Sequence, residues 1–416
     1  MAQQNTPTTL SAYLKEVYAD QIITLVPEGV KFLDLVDFIE ADKEPGGHYN
    51  QPVQLTQEFG FSMGSGAFAL NAAVAHQSAN AQMNGTSLLL RSQISYDAAA
   101  RASTSKKAFL KWSESKFIPM LSSFKKRLEI LHLYGQQGLG KIATVAVANT
   151  VEVTITFATG TWSPGIWAGA EGMTVDVYSA LTAGTKRTAG GLASVKSVDM
   201  PNKTIVISCT NGTDATNVAV NDHLFFYNSY ASEAAGFFAM TANTGTIWNI
   251  NAGTYSLWKS TQYSASSAAV TMAKLLTATG KTFEKGCDEK LTCMIPGQAY
   301  QNVNSDLAAL RRLDGSFNKK KGSNGQESIE FFGVTGALEL VPSIYLKEGQ
   351  CAIFPATQCK RIGATDTTMT MPGQNANELV LQVPDYAAYE MRLYTEQAFF
   401  CQRPAWCVEV NNIVST

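Results

Sequence analysis

The chain has 416 residues, of which 45% are hydrophobic and 16% charged. That is enough to bury at least one large core and excludes disorder as its main state. Charged residues usually make up about a quarter of a globular chain, so this deficit predicts that much of the exterior is interface. With 32 Lys and Arg against 34 Asp and Glu, no long-range field is available for gripping phosphates. This argues against a dedicated nucleic-acid binder, and any such contact is expected to be local.

The first residues lack the basic start and apolar stretch of a secretion signal. No window reaches the roughly 18 uncharged apolar residues of a membrane span, so a cytoplasmic site of synthesis is expected and no membrane contact. In residues 1–47, Leu10, Leu14, Tyr18, Ile22, Ile23 and Val26 recur at three- and four-residue steps up to Pro27, which predicts a short helical arm. A dense apolar patch from Phe32 to Ile39 follows it.

Residues 48–97 read as a long two-stranded excursion. Strand-like ends at 49–57 and 86–96 bracket a Gly/Ala/Ser/Asn-rich middle that carries Phe59, Phe61 and Phe68. An isolated hairpin is marginal in water, so a neighbouring surface should hold it. Phe59, Phe61, Phe68 and the run Leu88, Leu89, Leu90 are the candidate subunit-interface residues, because the ribbon offers too little local sequence to bury them.

Residues 104–134 are dominated by helix formers. Phe109, Trp112, Phe117, Met120, Leu121, Phe124, Leu128 and Leu131 form one stripe, Pro119 predicts a kink or break, and Gly135 the stop. From 143 to 230 the text switches to short alternating runs at 151–157, 173–178, 195–198, 205–208 and 224–227. Turn signals separate them, and they predict a compact β-barrel or sandwich. From 231 onward helices are expected at 267–284 and 298–310. Strands are expected at 290–295, 328–332, 337–341, 351–354, 378–383, 389–400 and 406–410, giving an α+β class.

Several motifs tempt a catalytic reading. Gly60-Phe61-Ser62-Met63-Gly64 matches a nucleophile elbow, but no histidine lies late in the chain and His76 lacks an intervening acid. A glycine-rich loop tip is the better reading, and a serine hydrolase using Ser62 stays as a minor alternative. Gly135 to Lys141 matches most of a P-loop, yet Ile142 stands where a hydroxyl must hold magnesium. The motif also follows a long helix instead of opening one. The seven cysteines show no Cys-x-x-Cys spacing and no histidine close in sequence, so reduced core thiols are expected and no metal or other cofactor. Lys319, Lys320 and Lys321 form the concentrated basic run, a solvated loop tip that could touch DNA or an acidic neighbour.

Taken in order, these zones resemble the major capsid proteins of tailed double-stranded DNA bacteriophages, the family with the HK97-type fold. The more specific elements lie late in the chain. They are Gly245-Thr246-Ile247-Trp248-Asn249-Ile250 followed by Tyr255 to Ser260, Asp288 to Pro296 with Tyr300, Gly336 to Leu346 with Val341-Pro342-Ser343, and the closing Gln397-Ala398-Phe399-Phe400 to Pro404, running into Val408-Glu409-Val410-Asn411-Asn412-Ile413. The resemblance implies an N-terminal arm (1–47), an extended loop (48–97), a spine helix of the peripheral domain (98–142), an inserted β-rich domain (143–230), an axial domain (231–376) and closing peripheral strands (377–416). It also implies a structural, non-enzymatic protein of the virion capsid that is assembled in the host cytoplasm. Self-assembly would give pentamers and hexamers of an icosahedral head around double-stranded DNA, contacted non-specifically. Portal and scaffolding proteins are the implied partners, with a decoration protein as a further candidate. No scaffolding segment precedes the arm, so scaffolding is expected from a separate protein or not at all. The β-rich insert also suggests a second reading, another phage structural or adhesive protein.

Overall fold

The computed structural model describes residues 29–40, 49–96, 106–305, 329–333, 336–369, 381–383 and 386–414. The expected arm helix before Pro27, the basic run Lys319 to Lys321, the far end of the helix expected at 298–310 and the start of the strand expected at 378 lie outside these residues. The class is mixed α and β, with most regular structure in strands.

One helix, Lys106–Tyr134, dominates the helical content. At about 1.5 Å per residue its 29 residues extend roughly 43 Å. It passes through Pro119 as a single element, so of the expected kink or break the break does not occur. An internal proline costs about 3 kcal/mol, whereas burying one large apolar side chain gains roughly 1.5–3 kcal/mol. Met120, Phe124, Leu128 and Leu131 are all buried in one cluster with Met391 and Leu393, which outweighs the lost hydrogen bond. The helix stops just before Gly135, as expected, although the left-handed residue there is Gln136 (φ 67°) and not Gly135. Gly135 is small for another reason: a Cβ there would stand 2.1 Å from the Ala234 carbonyl oxygen, where residues 234–236 cross the helix end.

Two sheets carry the body. In the first, Phe38–Glu40, Cys359–Thr368, Ala388–Cys401 and Leu381–Gln382 are neighbours in that order, and Thr86–Ser95 also pairs with Ala388–Cys401. The second is a six-stranded mixed sheet in the order Thr261–Ala268, Val408–Ile413, Cys351–Phe354, Leu291–Ile295, Gly336–Pro342 and Ile329–Gly333. Helices Met272–Phe283 and Gly297–Ser305 bury Leu275, Ala278, Ala299 and Val303 in its core. The strands sort differently from a division near residue 376. The chain passes between the sheets at 354–359 and again at 401–408, so Cys359–Thr368 joins the first sheet and Val408–Ile413 the second.

Six strands close into a barrel, in the order His223–Phe226, Gly140–Val147, Glu152–Phe157, Thr204–Cys209, Ala193–Asp199 and Thr174–Tyr178. Period-two alternation turns Val153, Ile155, Val175, Val177, Ile205 and Ile207 inward, all buried. The barrel core is continuous with the body, in one cluster that also holds Phe354 and Phe399. Backbone bonds stitch the two together: Gly165 N–H to the Ile344 carbonyl (2.8 Å), Glu348 N–H to that of Trp162 (2.9 Å) and Gly349 N–H to that of Gly160 (2.9 Å).

Candidate interaction surface

The long excursion is a true two-stranded ribbon, with a return strand other than the expected one. Tyr49–Gln54 pairs antiparallel with Ser78–Met83, in register from Tyr49 opposite Met83 to Gln54 opposite Ser78. Residues 86–95, expected as the return strand, instead pair antiparallel with Ala388 to Gln397 of the strand Ala388–Cys401. Ser78–Met83 is poor in large apolar residues, so its strand signal is weak; only Ala81 and Met83 on alternate positions are buried.

The base of the ribbon is held by its own chain. Leu55, Ala81 and Met83 enter the main core, the Gln82 N–H donates to the Trp248 carbonyl at 3.0 Å, and the Tyr255 hydroxyl donates to Gln77 Oε1 at 3.1 Å. Beyond Thr56 the ribbon leaves the body. Phe59 and Val74 exchange backbone hydrogen bonds (2.9 and 2.7 Å), and the Asn71 side chain donates to the Phe61 carbonyl at 2.7 Å. The Asn71 N–H donates to Ser62 Oγ at 2.6 Å. The tip therefore has a defined conformation without a core.

What it presents is apolar. Phe59, Phe61, Met63, Phe68, Leu70 and Val74 are all exposed, Phe61 at 76%, Leu70 at 82% and Met63 at 92%. Large apolar side chains exposed together on one segment make it a candidate interaction surface. The sequence reading named Phe59, Phe61 and Phe68 but missed Met63, Leu70 and Val74. The overlooked signal is that no Asp, Glu, Lys or Arg occurs between Glu58 and Arg91. The leucine run is not a single surface: Leu88 and Leu90 pack toward the long helix and its buried cluster, while Leu89 on the opposite face is exposed.

The other motifs resolve locally. Ser62 accepts the Asn71 N–H, and His76 pairs with Glu58 at 2.9 Å, so these two side chains have separate partners. Lys141 of the glycine-rich motif is the second residue of a barrel strand and lies opposite His223. Its glycines serve the helix end and the barrel wall. All seven cysteines are buried. Among the described residues no helix is long and apolar enough to cross a membrane.

No family model matches this sequence, and no curated protein matches it. Solved structures do. The capsid chain of cyanophage A-1(L) aligns with a TM-score of 0.57 at 11% identity, covering 98% of this chain and 99% of its own. Capsid chains of the native and the empty GTA particle each align with a TM-score of 0.53 at 8% identity, covering 99% of this chain and 100% of theirs. The chain has the fold of phage capsid proteins along almost its whole length.

Proposed function

We propose that this chain is a major capsid protein that builds the icosahedral head of a tailed phage around double-stranded DNA. The observation that carries the reading is the coincidence of that end-to-end fold likeness with an uncharged, apolar ribbon tip that its own chain leaves uncovered. In a shell the tip of one subunit lies on the next, and Phe59, Phe61, Met63, Phe68, Leu70, Val74 and Leu89 supply the contact. Repetition around five- and six-membered rings closes the surface. Obligate interfaces bury on the order of 2,000 Å² or more, enough to resist internal DNA pressure without any single strong bond.

In this reading the architecture is of the HK97 type, with Lys106–Tyr134 as the spine helix and the barrel as an accessory domain added to the minimal fold. The near-neutral chain contacts DNA non-specifically, and portal, scaffolding and decoration proteins are separate partners. Its role is structural and not enzymatic. Electron microscopy of the purified recombinant chain tests the proposal. Closed shells or rings of five and six subunits are expected, and a chain that stays monomeric at high concentration and in the presence of its phage's scaffold sinks it.

A further inference from the structure

We propose that Cys359, Cys401 and Cys407 form a three-thiolate site for one soft d10 cation, zinc(II) or copper(I). Cys401 and Cys407 lie six residues apart, Cys359 lies far from both in sequence, and the three meet where the chain changes sheets. Cys359 opens the strand Cys359–Thr368 and Cys401 closes Ala388–Cys401; the two are direct partners in the antiparallel ladder. Cys407 follows the short turn Pro404–Trp406 and precedes Val408–Ile413 of the other sheet. All three are fully buried.

Their sulfurs lie within 4.8 Å of one another, with Cys401 and Cys407 3.5 Å apart. Metal–thiolate bonds of about 2.3 Å place three sulfurs around one ion about 4.0 Å apart, so small side-chain rotations suffice. The Arg403 backbone N–H donates to the Cys401 sulfur, the kind of outer contact that orients a ligating thiolate and stabilises its charge. Among the described residues this is the one cluster of three or more metal-ligating side chains. It holds no histidine or carboxylate, and an all-thiolate, low-coordinate set selects soft ions.

Each thiol releases its proton to water as its sulfur takes the ion, so uptake falls at low pH. Because the site is sealed, the ion enters before the two sheet crossings close. Once bound, it ties both crossings together.

The test uses the full chain, unfolded and refolded anaerobically with zinc(II), with copper(I) or with neither, then desalted. About one ion per chain is expected. X-ray absorption at the metal edge should count sulfur neighbours only and tell zinc from copper. Cys359→Ala and Cys407→Ala should lower retention by roughly tenfold or more, while Cys209→Ala, in the barrel strand Thr204–Cys209, leaves it unchanged. A refolded wild-type chain that retains neither ion overturns the proposal. So does a Cys401–Cys407 disulfide in the freshly purified protein, or an absorption spectrum with oxygen and nitrogen neighbours alone. If the alanine variants do not fold, the wild-type retention and spectrum decide.

Discussion

The backbone N–H of Phe32 donates to Glu129 Oε1 at 2.8 Å, and the N–H groups of Lys31 and Leu33 reach the same carboxylate at 3.2 and 2.9 Å. One buried acid on the long helix thereby caps the first turn of Phe32–Leu35 and fixes where the N-terminal segment meets the body. Phe32 in turn packs edge-on against Phe354, with ring centroids 5.4 Å apart, beside Phe399. A polar clamp and an aromatic plug thus act on adjacent atoms.

Removing the carboxylate should be costly. Glu129→Ala leaves three N–H groups without their acceptor, at about 1–3 kcal/mol for each buried one. Urea denaturation should show the midpoint falling by several kcal/mol equivalents, with helix content retained in the surviving native state. A loss under about 0.5 kcal/mol, the range of an ordinary surface change, would mean that the clamp does not anchor the segment.

The ribbon tip should behave in the opposite way. Phe61 and Leu70 are 76% and 82% exposed, so the double change Phe61→Ser, Leu70→Ser should alter chain stability by no more than about 0.5 kcal/mol. In a shell each of those side chains would be buried for roughly 1.5–3 kcal/mol, repeated in every subunit, so assembly should fail. Circular dichroism and sedimentation velocity on one sample read both halves. Full-size particles from the variant would show that the tip is not an intersubunit contact.

Gly135 offers a purely steric test. A Cβ would meet the Ala234 carbonyl oxygen at 2.1 Å and the Leu131 carbonyl oxygen at 2.7 Å, both backbone atoms that cannot swing away. Gly135→Ala should therefore destabilise by about 1–3 kcal/mol, the usual cost of overpacking, although alanine is the better helix former. Thermal unfolding of the variant at or above the wild-type midpoint would contradict that packing.

How much of this was legible follows from what each segment buries. The barrel strands show in the sequence because their alternation is clean: Glu152–Phe157 and Thr204–Cys209 bury every second residue. Cys359–Thr368 was invisible because its register against Ala388–Cys401 shifts twice, at Ile362/Thr365 and Thr365/Thr368, which erases the period. Thr261–Ala268 is nearly all small and polar. It is a strand because it lies at the sheet edge beside Val408–Ile413. For the site, aromatic residues flagged the ribbon tip, but the Glu129 clamp and the cysteine cluster are products of long-range folding. Nothing local around Glu129, or in the spacing of Cys359, Cys401 and Cys407, announces them.

The pH dependence of stability should contain two opposed limbs from two buried groups. Burial, the larger influence, raises Glu129 from an ordinary 4.5 to about 7 despite its three N–H bonds. The folded chain then keeps a proton that the unfolded chain releases. The stability from this group is complete below about pH 4.5 and is lost as pH rises through about 7. Lys347 works the other way. Burial lowers it from 10.5 to about 7, against the attraction of Glu409, while its Nζ donates to the Gly138 carbonyl at 2.9 Å and lies 4.2 Å from the Tyr134 ring centroid. Its contribution is complete above about pH 10.5 and is lost as pH falls through about 7. Together the two groups place a minimum near neutrality. Glu129→Gln should flatten the limb between about pH 4.5 and 7, and Lys347→Met the limb between about 7 and 10.5, each leaving the other slope in place. Denaturation midpoints of the three proteins across that range resolve the two slopes. A Glu129→Gln curve parallel to wild type below pH 7 would show that this acid is ionised in the folded chain throughout. A Lys347→Met curve parallel above pH 7 would show the same for the amine.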